Sequence, residues 1–79
     1  MPSPGANRTT ATLRQQVYAQ LRRAIEQGSL RAGTRLPPSR EHAASLGVSR
    51  NTVLWAVQRL LAEGYVEARV GDGTYVSQA

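Results

Sequence analysis

Cysteine, lysine and phenylalanine are missing from this 79-residue chain, and histidine and tryptophan occur once each. Without cysteine there is no disulfide framework and no thiolate metal site. His42 alone is too few for a metal site built from histidines. Without lysine no carbonyl cofactor can be held as a Schiff base. No apolar run approaches the roughly 20 residues of a membrane-spanning helix, and no charged start followed by an apolar core marks a signal peptide, so a cytoplasmic protein with no membrane contact is expected. A chain this short buries only about 60% of its unfolded surface, which argues against a large internal active site. No Ser/His/Asp or Cys/His set and no phosphate-binding glycine loop is present, so an enzyme has no residues to support it.

What the chain does have is arginine. Ten arginines face five acidic residues, for a formal charge of +5. That balance favours a polyanionic partner, nucleic acid being the first candidate, although a merely solvated basic surface has the same composition.

Residues 1–11, MPSPGANRTTA, lack periodic apolar positions and carry Pro2, Pro4 and Gly5, so a flexible arm is expected there, with Arg8 a solvated residue or a phosphate contact. Thr12 and Gln15 form a T-x-x-Q capping pattern just before Leu13, Val17, Leu21 and Ile25 recur at helical spacing. A first helix is therefore predicted from about Leu13 to Gln27, ended by Gly28, with Arg14, Arg22 and Arg23 solvated on its polar side. The segment SLRAGTRLPP permits only a short extended piece near 34–36, with Leu30 and Leu36 plugging the core. Helices are then expected over about Ser39 to Leu46 and Arg50 to Glu63. The β-prone runs Tyr65 to Val70 and Thr74 to Ser77, separated by Gly71-Asp72-Gly73, predict a hairpin. The result is mainly α with a small hairpin: a winged helix-turn-helix over 12–77, with 78–79 the start of a linker or a truncated end.

The stretch SREHAASLGVSRNTVLWAVQ carries the chemistry. Ala43 and Ala44 fall where two helices approach closely. Gly47 sits at a chain reversal that wants positive φ. Leu46, Val48, Val53, Ala56 and Val57 supply an apolar seam. Ser49 is placed to cap the next helix, whose first turn reads Arg50, Asn51, Thr52. A cation, an amide and a hydroxyl are the groups that read base edges and grip phosphates.

The segments GTRLPPSRE, LGVSRNTV and LLAEGYVEARVGDGTYV resemble the DNA-binding domain of GntR-family bacterial transcription regulators, and SRNTVLWAVQRLLAEGYVEARVGDGTYV is most similar to the MocR subfamily. The resemblance implies sequence-specific binding of a double-stranded DNA operator, with the helix over 50–63 in the major groove and the wing over 65–77 at the minor groove or backbone. It implies DNA contacts by Arg40, Arg50, Asn51, Thr52 and the wing-tip Gly71. Arg35, Ser49 and Arg69 join them as candidates, the two arginines for phosphate. Arg50 suits a bidentate bond to guanine and Asn51 one to adenine. Thr52 suits either a phosphate or completion of the helix cap. MocR-type relatives continue into an aminotransferase-like domain that binds pyridoxal phosphate, and act as homodimers held largely by it. With no lysine here, that cofactor would belong to a missing C-terminal domain, and the fragment alone is expected to be monomeric.

Four positions depart from the family pattern. Pro38 replaces a capping serine, so the second helix starts late or is capped by Ser39. His42 replaces an inward leucine, as a half-buried, hydrogen-bonded imidazole or a pH sensor. Leu54 and Trp55 stand where relatives carry polar residues. On a helical wheel Trp55 lies opposite Val53, Val57 and Leu60, which predicts an exposed indole facing DNA or an adjoining domain. Leu54 and Trp55 are the residues that favour an alternative function, a winged helix that docks a protein through this face.

Overall fold

The computed structural model describes the backbone from Thr10 to Gln78 and side chains from Leu13 to Gln78. Most of the expected arm, including Arg8, and Ala79 at the end of the expected linker fall outside those residues. The elements run α1 (Thr10–Glu26), α2 (Ser39–Leu46), α3 (Arg50–Ala62), β1 (Val66–Arg69) and β2 (Gly73–Val76). This is the winged helix-turn-helix order that the sequence predicts.

α1 begins two residues before the T-x-x-Q pattern, so Thr12 lies inside the helix rather than at its cap. Nothing between Gly5 and Thr12 breaks a helix, and Ala11 has the highest intrinsic propensity, so the helix extends back through it. Of the predicted stripe, Val17 and Leu21 are buried and Ile25 packs on the core, but Leu13 is 40% exposed. Leu46, placed in the apolar seam, is 37% exposed, and Ala44 is exposed where Ala43 is buried. The helices approach closely at one alanine, not two.

Between α2 and α3 the chain reverses at Gly47, whose φ of 70° and ψ of 30° put it in the left-handed region. Its N–H donates to Ala44 and that of Val48 to Ala43, satisfying carbonyls that the helix end leaves open. A side chain at Gly47 would meet nothing within 4 Å, so the requirement is conformational rather than steric.

The core gathers Val17 and Leu21 from α1, Ala56 and Leu60 from α3, Leu36 from the loop and Val66 and Val76 from the hairpin. Leu60 and Val53 are wholly buried. Each such side chain contributes about 1.5–3 kcal/mol by leaving water. Leu36 is buried as expected, with Leu30 packed against the cluster.

β1 and β2 pair antiparallel, with Val66 opposite Val76 and Arg69 opposite Gly73. The expected strand near 34–36 is a single bridge, Arg35 to Tyr75. It is fixed by hydrogen bonds from Leu36 N–H to Thr74 and from Val76 N–H to Thr34, both 2.8 Å. β2 is therefore paired on both edges. The turn is shifted from the expected Gly71-Asp72-Gly73: it runs Arg69-Val70-Gly71-Asp72, closed by Asp72 N–H on the Arg69 carbonyl at 2.9 Å, and Gly73 already belongs to β2. Gly71, with φ of 76°, takes the third turn position, where positive φ is required. Val70 is thereby pushed out of the strand and fully exposed.

Candidate nucleic-acid interface

The first turn of α3 is built by Ser49. Its Oγ accepts from the Thr52 N–H at 3.2 Å and shares a second hydrogen bond with the Thr52 hydroxyl at 2.8 Å. Thr52 is 3% exposed. Of the two roles left open for it, the structure gives it the cap: its hydroxyl is engaged within the protein. Ser49 likewise spends its oxygen on the helix and stiffens the turn that presents its neighbours. Arg50 and Asn51 are exposed on that turn.

α2 starts after Pro38, which forms no side-chain cap. The helix does not start late: Pro38, with φ of −55° and ψ of 147°, takes the extended conformation of a cap residue, which the fixed φ of proline allows, and α2 begins at Ser39. Ser39 does not cap it either; its Oγ accepts from Nε of Arg50 at 3.0 Å. That bond links the first residue of α2 to the first residue of α3. No sequence signal indicated it, because the partners are eleven residues apart on separate helices.

On the wing, the Arg69 guanidinium lies 4.0 Å from the centre of the Tyr75 ring and reaches Glu67 at 3.3 Å. The Tyr75 hydroxyl donates to Asp72 at 3.0 Å, and this bond pushes its pKa up. Arg35 is exposed on the bridge to Tyr75, so Arg35, Arg69 and Gly71 share one end of the molecule. A concavity of about 250 Å³ separates this group from the helix N-termini, lined by Arg35, Pro37, Ser39, Leu54, Gly73 and Thr74.

The arginines differ in their partners. On α1 Arg22 pairs with Glu26, and at the end of α3 Arg59 pairs with Glu63. Arg14 and Arg59 stack on Trp55, Arg59 also on Tyr18, and Arg22 on Tyr65. The Tyr18 hydroxyl donates to Glu63 and that of Tyr65 to Glu26. Arg14 and Arg22 are therefore not simply solvated. Trp55 is not the exposed indole expected from the wheel. It is half-buried against the core, meeting Tyr18 edge-on at 6.4 Å, because α1 covers the flank of α3 that a single-helix wheel leaves open. Among the described residues, Arg35, Arg40 and Arg50 form no salt bridge, and neither do Arg14, Arg23 and Arg31.

His42 faces inward as expected but is buried at 8% exposure rather than half-buried, and its Nδ1 has no hydrogen-bond partner among the described residues. Burial pushes the imidazole pKa down. No group of metal-binding side chains forms among the described residues, and no helix there is long and apolar enough to cross a membrane.

Comparison with known proteins agrees with this geometry. Over 65 residues the chain is 54% identical to the "Probable rhizopine catabolism regulatory protein MocR" of Rhizobium meliloti, covering 82% of this chain and 13% of that protein. It is 40% identical over 62 residues to the HTH-type pyridoxine biosynthesis transcriptional regulator PdxR of Corynebacterium glutamicum, covering 78% of this chain and 14% of that one. The chain thus spans about an eighth of these relatives. Among solved structures, a GntR family transcriptional regulator from Listeria monocytogenes superposes with a TM-score of 0.80 at 25% identity, over 85% of this chain and 59% of that one. AraR(DBD) in complex with operator ORR3 superposes at 0.75 with 29% identity, over 82% and 78%. The sequence pattern of the bacterial regulatory proteins of the gntR family matches residues 13–76, running from within α1 through the helix-turn-helix to the end of the wing. The chain belongs to the gntR family.

Proposed function

We propose that this chain binds duplex DNA sequence-specifically, as the reader domain of a bacterial transcription regulator. α3 enters the major groove through Arg50 and Asn51, and the wing tip meets the minor groove or the adjacent backbone. The observation that carries this reading is the first turn of α3, where the Ser49 cap presents Arg50 and Asn51 to solvent. Arg40 and Arg50 are exposed in the first turns of α2 and α3 and form no salt bridge among the described residues, and helix N-termini themselves favour phosphate. The superposition on AraR(DBD) with its operator supports it.

The alternative, a protein-docking module using the outer face of α3, loses its main support because Trp55 is held by α1 and Arg14. In a longer cytoplasmic regulator the domain would act as one half of a homodimer on paired half-sites. Pyridoxal phosphate, in the MocR-type arrangement, would sit in a separate domain, since no lysine here can hold it.

The test is selection of bound duplexes from a random pool, followed by a salt titration of the winner. A defined half-site is expected, with affinity falling by about 0.9 log unit per log unit of salt for each phosphate neutralised. An affinity indifferent to salt between about 50 and 200 mM, or a pool that never narrows, overturns the reading.

A further inference from the structure

Resting on that reading, we propose that Ser39 is a positioning residue that orders Arg50 for base recognition before DNA arrives. Ser39 is the first residue of α2, and the cap position before it is Pro38, which makes no side-chain bond. The Ser39 hydroxyl is thus not committed to the helix that carries it. It accepts instead from Nε of Arg50, at 3.0 Å.

The choice of nitrogen matters. A guanidinium has donors on Nε, Nη1 and Nη2 in a fixed fork. With Nε held by Ser39, the two Nη groups remain as an outward pair, the geometry that matches guanine O6 and N7 end-on. Arginine has large rotamer freedom, and fixing it in the free protein lowers the ordering cost at the moment of binding.

The chemistry of the partner matters equally. A carboxylate at position 39 would hold the same nitrogen more tightly, but it would neutralise the cation and repel the phosphates nearby. A hydroxyl orients the fork and leaves its charge intact. No carboxylate pairs with Arg50 among the described residues.

The experiment uses the duplex selected above, a random-sequence duplex, and the selected duplex carrying 7-deazaguanine, which lacks N7, at the base that Arg50→Ala ceases to discriminate. Ser39→Ala is expected to weaken the selected duplex by about two- to tenfold, the cost of ordering one long side chain. It should shrink the penalty for 7-deazaguanine, leave the random duplex and the thermal midpoint unchanged, and be rescued by Ser39→Thr. If Ser39→Ala weakens both natural duplexes equally, its hydroxyl grips phosphate directly and the positioning role is wrong. If it weakens neither while Arg50→Ala abolishes discrimination, Arg50 reads bases without help, and the proposal falls alone. If Arg50→Ala leaves the ranking of bases intact, the base-reading role of Arg50 falls with it.

Discussion

The guanidinium of Arg14 lies 4.8 Å from the centre of the Trp55 ring, pinning an indole that the sequence pattern places on an open face. Arg59, Tyr18, Arg22 and Tyr65 continue the arrangement, so the flank between α1 and α3 alternates cations and aromatic rings. Arginine on this flank fastens α1 to α3 and to the chain that follows it.

Trp55→Ala should therefore cost stability, not DNA affinity. We expect a loss of about 2–3 kcal/mol in urea unfolding, below the roughly 3–5 kcal/mol of a fully buried tryptophan, because the ring is half-buried. Arg14→Ala should cost less, about 0.5–1 kcal/mol. The free chain should emit to the blue of an indole in water. Emission at the water position, or Trp55→Ala unfolding at the wild-type urea midpoint, would refute this.

Arg50 and Arg40 should fail in different ways. Arg50→Ala should reduce specific binding by about 1–3 kcal/mol and relax discrimination at one base pair. Arg40→Ala, at an exposed site in the first turn of α2, should weaken all sequences alike and lower the salt slope. Titrating a panel of single-base operator variants separates the two, and identical panels for both proteins would contradict the assignment.

At the wing tip two substitutions distinguish backbone strain from close approach. No atom lies within 4 Å of a Cβ placed on Gly71, but its φ of 76° costs an ordinary residue about 1–2 kcal/mol. Asparagine tolerates that region better than most residues. If the wing tip meets the duplex, Gly71→Val and Gly71→Asn should both lower affinity while helical circular dichroism is kept. Wild-type affinity in Gly71→Asn would remove the wing tip from the interface.

His42 should make the fold sensitive to mild acid. Its buried imidazole is held neutral, with a pKa below the usual 6.5, so the unfolded chain takes up the proton first. Stability is then full above about pH 6.5 and declines as pH falls through that value toward the lower folded pKa. Glu26 acts at lower pH: the Tyr65 hydroxyl and then Arg22 hold its carboxyl below its usual 4.5, so what it contributes fades only below that value. The thermal midpoint should drop between about pH 7 and 5 in the wild type and stay flatter in His42→Leu. Parallel curves would assign the acid sensitivity elsewhere.

The architecture could be read from residues whose meaning is local. Gly47 ends a helix, Ser49 starts one, and Gly71 bends the hairpin, each through its own backbone or a neighbour within three residues. Relationships between distant segments could not be read that way. The Ser39 to Arg50 bond, the cover that α1 gives Trp55 and the solvent left at Leu13 and Leu46 depend on how helices pack. A wheel drawn for one helix has no knowledge of its neighbour. Thr52 shows the limit most directly, since the same hydroxyl suits a phosphate and a cap, and only its burial shows which it serves in the free chain.

β2 is hydrogen-bonded on one edge to β1 and on the other to the segment that leads, through Leu36 and two successive prolines, into α2. Proline fixes its own φ and restrains the residue before it. On the proposed reading, the span from wing to helix therefore has little slack and would act as a calliper with a set opening. A duplex whose grooves do not match that opening must bend or be refused, so the chain would sense the shape of DNA as well as the letters under Arg50.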